Sequence, residues 1–78
     1  MRVSDYDIER RRRVVTSEVA TLLSDNYLIQ STINANFYVF FRLHHLFNGH
    51  VIIIHAYLDS NRWVMKKDGT IVKQQNII

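Results

Sequence analysis

The stretch FYVFFRLHHLFNGHVIIIHAYL, Phe37 to Leu58, decides the fold. Its two runs, Phe37–Phe47 and His50–Leu58, are dense in aromatic and β-branched residues, the composition of a pleated, half-buried surface. Between them stands Asn48-Gly49. A type I′ turn needs positive φ at both central positions, and Asn-Gly meets that need at least cost. The stretch therefore reads as a β-hairpin with a two-residue loop. That loop pairs Phe47 with His50, Leu43 with Ile54 and Phe41 with Ala56.

Strand alternation then sorts the side chains. One face carries Val39, Phe41, Leu43, His45, Ile52, Ile54, Ala56 and Leu58, and reads as core. Downstream, Trp63–Lys67 and Thr70–Gln74 predict a second hairpin closed at Asp68-Gly69, with Asp59–Asn61 as the link. A tight turn at Ser60-Asn61 adds Trp63 and Met65 to the core face, and Val72 joins from the last strand. Upstream, Tyr27–Ile33 has the period of a strand whose pairing the pattern leaves open, and Asn34–Asn36 form a turn.

Residues 4–25 change to a period near 100° per residue, so they predict a helix. Ser4 followed by Asp7 is a variant of the capping box, and Asp5, Asp7 and Glu9 lie where the helix dipole favours negative charge. Ile8, Val15, Val19, Leu22 and Leu23 form the apolar stripe. Asn26 tolerates the left-handed conformation that ends a helix. The expected fold is α+β: an N-terminal α-helix packed on one face of a four- to five-stranded antiparallel β-meander, a single domain over residues 1–78.

Length and composition narrow the function classes. A 78-residue chain buries a modest core, so nothing in it predicts a deep catalytic pocket. There is no cysteine, which removes disulfides and thiolate metal sites and fits a reducing, cytoplasmic setting. The opening MRVSDYDIERRRR lacks the apolar core of a signal peptide, and no run reaches the roughly 18–20 apolar residues of a membrane span. A net charge of +3 favours acidic partners.

The face away from the helix is the informative one. Strand alternation gives it Tyr38, Phe40, Arg42, His44 and Leu46, then Val51, Ile53, His55 and Tyr57, then Val64, Lys66, Ile71 and Lys73. A solvated antiparallel face is mostly polar. This one is aromatic and aliphatic with scattered cations, and one helix covers only one side of a sheet.

Other constellations point less sharply. Arg10, Arg11, Arg12 and Arg13 make a candidate phosphate-contacting patch. Helical geometry spreads them around the axis: Arg10 and Arg13 point outward, while Arg11 and Arg12 flank the stripe. Asp7 and Glu9, four residues before Arg11 and Arg13, favour the plainer reading of a solvated face with internal ion pairs. His44 and His55 fall diagonally across the hairpin, close enough for two imidazoles to share an ion. Zinc wants three or four protein ligands, however, and no third joins them, so no metal is expected. His45 reads as a core histidine and His50 as a turn residue. No glycine-rich phosphate loop or nucleophile–base spacing is present, so no cofactor and no enzyme activity are expected. Arg42 facing His55 is the one pair that suits acid–base cleavage of RNA.

The expectation is a non-enzymatic binding module. Its partner-binding face is Tyr38, Phe40, Arg42, His44, Ile53, His55, Tyr57, Lys66 and Lys73. The favoured partner is protein: a second copy stacked face to face, a larger host protein, or both. The alternative is single-stranded nucleic acid on the same face and the Arg-rich helix, with a small ribonuclease as a distant third. In its shortness, its asparagines and its lack of proline and cysteine, the chain resembles accessory proteins of phages and mobile elements. That resemblance implies regulation or inhibition of a larger host machine.

Overall fold

In the computed structural model residues 3–76 are described, the last two by their backbone alone. Helix α1 covers Asp5–Ser24. Five strands follow: β1 Tyr27–Asn34, β2 Tyr38–His45, β3 Val51–Tyr57, β4 Arg62–Lys67 and β5 Thr70–Asn76. They form one antiparallel sheet in the order β1-β2-β3-β4-β5, and α1 sits on it. The α+β meander expected from the pattern is the fold observed, with five strands.

Capping explains where α1 begins and ends. The Ser4 hydroxyl oxygen accepts the Asp7 amide at 3.1 Å. After Asp25, Asn26 takes φ +69° and turns the chain into β1. Ile8, Val15 and Val19 are buried by the helix stripe. They pack with Tyr27, Val39, Phe41, Leu43, Ile52, Ile54, Ala56, Leu58, Trp63 and Met65, the helix-side residues of the strands. Leu22 packs at the margin of this core, whereas Leu23 is exposed. No helix among the described residues is long and apolar enough to cross a membrane.

The hairpin at Asn48-Gly49 differs from expectation. Leu43 faces Ile52, Phe41 faces Ile54 and Val39 faces Ala56. The register is displaced by two residues, and the loop is Leu46–Gly49, closed by the His45 amide on the His50 carbonyl at 2.8 Å. Gly49 alone has positive φ in this loop (+76°), so Asn48 does not enter a type I′ turn. The cause is His45. Its Nδ1 accepts the Phe47 and Asn48 amides at 3.1 and 3.3 Å, and its ring stands edge-on to Tyr27 at 4.9 Å. Those contacts hold a wider loop, and they make His45 a half-buried loop organiser instead of a plain core residue. The β3–β4 connection is wider in the same way. Tyr57 faces Arg62, so the loop runs from Leu58 to Asn61 and not through a tight turn at Ser60-Asn61. A displacement of two preserves side-chain parity, so the core face survives both changes. Asp68 (φ +51°) and Gly69 (φ +86°) do supply the two positive φ values of a two-residue turn.

Two bulges matter more. In β5 the pairing slips between Met65 and Lys66, so Met65 faces Lys73 while Lys66 faces Ile71. Lys73 therefore lies on the helix side, where its ammonium meets the Glu18 carboxylate at 3.4 Å. Its assignment to the open face is corrected, as is Val72's to the core: Val72 is the bulged residue and is 51% exposed. In β1 the slip falls between Ile29 and Ser31. Leu46 also leaves the open face, because β2 ends at His45.

Candidate functional site

Register fixes the layout of the open face. Reading across from β1, one row is Leu28, His44 and Val51. The next is Ser31, Arg42, Ile53, Lys66 and Ile71. A third is Ile33, Phe40, His55, Val64 and Gln74, and the last holds Tyr38, Tyr57 and Arg62. Eight of the nine residues expected on the partner-binding face are there; Lys73 is not. Arg62, Leu28 and Ile33 lie on the same side of the sheet. Alternation from buried Trp63 places Arg62 on this side, but only if β4 starts one residue earlier than expected. Leu28 and Ile33 needed proof that β1 pairs.

One end of the face is aromatic. The Tyr38 and Tyr57 rings lie 5.1 Å apart, and His55 stands edge-on to Tyr57 at 5.9 Å. Tyr38, Phe40, Val51, Ile53, His55 and Val64 are half-buried by one another, while Leu28, Ile33, Tyr57 and Ile71 are each 45–52% exposed. Burial raises the Tyr38 phenol above its ordinary value, with the neighbouring Tyr57 adding to it. Burial also lowers the His55 imidazole, helped by the diagonal Lys66 ammonium. His55 is thus held toward its neutral form. His44 Nδ1 is buried with no hydrogen-bond partner among the described residues.

Charge is distributed one-sidedly. Arg42, Arg62 and Lys66 stand on this face. The chain has seven acidic residues, and none joins them. Asp5, Asp7, Glu9 and Glu18 lie on α1, Asp25 ends it, and Asp59 and Asp68 sit in connections. Arg42 donates from Nε to Gln30 Oε1 at 3.1 Å. No carboxylate pairs with Arg42, Arg62 or Lys66 among the described residues.

The new register dissolves two pairings expected from the sequence. His44 and His55 lie two rows apart, roughly 14 Å from strand spacing and rise, too far to share an ion. Arg42 faces Ile53 and His55 faces Phe40, so the facing pair for RNA cleavage becomes a diagonal one. His50 instead joins a turn network: its Nδ1 lies 2.5 Å from Asp68 Oδ2, while Asp68 Oδ1 accepts the Val51 amide at 2.9 Å.

The arginine run is mostly tied into the fold. Arg11 donates to the Leu58 carbonyl at 2.6 Å. Arg12 donates to Asn34 Oδ1 and to the Ala35 and Asn36 carbonyls at 2.9 and 3.0 Å. Arg10 pairs with Asp7 and Arg12 with Glu9, both at 3.3 Å and three residues apart, not the four expected. Only Arg13 is exposed with no side-chain partner among the described residues. Comparisons with protein-family models, with curated proteins and with solved structures return no match for this chain.

Proposed function

We propose that this chain is a small non-enzymatic binding module whose open sheet face docks an acidic protein surface, and that it regulates or inhibits the larger molecule to which that surface belongs. One observation carries the reading: Arg42, Arg62 and Lys66 stand on an apolar and aromatic face from which every Asp and Glu side chain is absent. Exposed apolar area of this kind is a docking signature. Arginine and aromatic residues are the side chains that dominate interface energies. The cations select for an acidic rim on the partner. They also disfavour face-to-face stacking of two copies, which would set like charges against one another in a drying interface.

Protein is favoured over single-stranded nucleic acid by the branched aliphatic positions. Ile53 separates Arg42 from Lys66, and Val64 lies beside His55. Neither offers a flat platform for a base. The Tyr38–Tyr57 pair does offer one, so the experiment includes that outcome.

Wild-type chain and the variants Phe40→Glu and Ile53→Glu are used to capture partners from nuclease-treated lysate of the source cells. The captured protein is then purified and titrated against each variant. The expected result is one dominant protein, weakened about 30-fold or more by either substitution, as for a central interface residue, and weakened by salt. Capture indifferent to both substitutions refutes the reading. So does binding of oligonucleotides alone that falls steeply with salt and drops with Arg42→Ala or Tyr57→Ala.

A further inference from the structure

We propose that two copies of this chain pair through the outer edge of β1, joining their sheets into one of ten strands. Long edge strands are ordinarily guarded by charge, proline or a covering segment, because their unpaired amides and carbonyls invite another strand. Strand β1 has neither charge nor proline, and its one device against pairing is the bulge at Gln30. Its eight residues, YLIQSTIN, include no charged side chain and no proline. All but Tyr27 are exposed, and nothing among the described residues pairs with its outer side. The opposite rim, β5, is guarded: it carries Lys73, held by Glu18.

The bulge selects the occupant. Without it, Leu28 and Ile33 would point to opposite faces. With it, both lie on the open side, and Ile29 and Thr32 both lie on the helix side. A two-fold axis normal to the sheet, between Gln30 and Ser31, then sets Leu28 opposite Ile33 of the second copy and Ile29 opposite its Thr32. Every pair so formed shares a face, as antiparallel pairing demands. Apolar Leu28 and Ile33 bury one another, and no charge meets its like. On the open side the strands bearing Arg42 and its counterpart lie three spacings or about 14 Å apart, and each Arg42 is held by Gln30 of its own β1. The β1 side chains themselves bring no charge to the pairing, whereas the open face brings Arg42, Arg62 and Lys66. The same axis leaves both open faces on one side of the joint sheet, doubling the surface assigned above to a partner.

Charge exchange in the predicted register tests this. The double variants Ile29→Lys/Thr32→Lys and Ile29→Glu/Thr32→Glu each set like charges across the axis, and mixing them sets opposites. Sedimentation is measured over about 1 μM to 1 mM, the range suited to a small interface. The wild type is expected to dimerise. Each double variant is expected to stay monomeric with an unchanged circular dichroism spectrum, and the equimolar mixture to form the heterodimer. The proposal is overturned by a monomeric wild type at the highest concentration, by double variants that still dimerise alone, or by a mixture that stays monomeric. Ile53→Glu is expected to leave the dimer intact. A dimer lost to Ile53→Glu places the contact on the open face and overturns the edge pairing. Partner capture that survives the β1 substitutions keeps the docking reading separate from this one.

Discussion

Replacing Arg12 with alanine removes the clamp between α1 and the β1–β2 turn. The guanidinium gives hydrogen bonds to Asn34 Oδ1 and to the Ala35 and Asn36 carbonyls, and its Nε faces Glu9. The side chain is only 17% exposed, so its stem also packs. A charged hydrogen bond contributes about 1.5–3 kcal/mol where the partner is left dry. The turn residues here are exposed, and their oxygens regain water when the guanidinium goes. Discounted for that, and with the stem added, Arg12→Ala is expected to destabilise by about 1.5–2 kcal/mol. A domain of this length has roughly 4–12 kcal/mol in all, so the loss is large. It lowers Tm by about 6–15 °C. Arg13→Ala, one residue on, is expected to stay within about 0.5 kcal/mol, and Arg12→Lys to fall between because a lysine reaches fewer of the acceptors. Urea unfolding followed by circular dichroism compares the three. Equal midpoints for Arg12→Ala and Arg13→Ala would refute the assignment of Arg12 to structure, and would return the arginine run to the candidate binding surface.

Three further outcomes follow from the geometry. Leu43→Ala, at a fully buried site, is expected to cost about 3–5 kcal/mol, whereas Ile53→Ala on the open face costs about 1 kcal/mol; equal losses in chemical denaturation would contradict the sidedness of β2 and β3. His55 is lowered below 6.5 by burial and by Lys66, so the unfolded chain takes up its proton first as pH falls. Its contribution to stability is therefore complete above about pH 6.5 and declines below it; a proton NMR titration placing His55 at or above 6.5 would refute this. Asp68 is lowered below 3.8 by the Val51 amide and then by His50. Its contribution is present above that value and is lost as pH falls through the lower folded value, so Asp68→Asn should flatten the acid limb of a stability profile, and an unchanged limb would count against the turn network.

How much of this was legible in the residues depends on what a two-residue period records. Parity is robust. Both inner hairpins open wider than their turn residues suggest, yet each moves by two, and Leu43, Ile54, Trp63 and Met65 remain inside. Partner identity across strands is not robust, which is why the His44–His55 and Arg42–His55 pairings failed while their face was right. The widening at Leu46–Gly49 traces to a side chain, His45 capturing two amides, and local turn propensity for Asn-Gly carries no trace of it. Bulges are the other blind spot, since one inserted residue inverts everything after it. Lys73 changed sides for that reason. Glu18, on α1, is the signal that could have found it: a lone carboxylate on the helix with no cation at the favourable helical spacing.

The same slip that misplaced Lys73 sharpens the functional argument. With Lys73 drawn to Glu18, the open face keeps three cations, and no carboxylate pairs with them among the described residues. Had the face been a solvated exterior, opposite charges would be interspersed across it, as on ordinary soluble surfaces. Instead the carboxylates Asp7, Glu9 and Glu18 each meet a cation within or beneath the helix layer. Those pairs lie on the helix side and leave the sheet's bare side with three cations and no Asp or Glu. An acidic partner of the kind proposed above would meet a one-sign field over an apolar floor, which would raise its rate of encounter and penalise a basic competitor. Placing a carboxylate there, as in Val64→Glu, should slow association more than it speeds dissociation if the field does this work. Stopped-flow rates that change only in dissociation would assign the face's selectivity to packing alone.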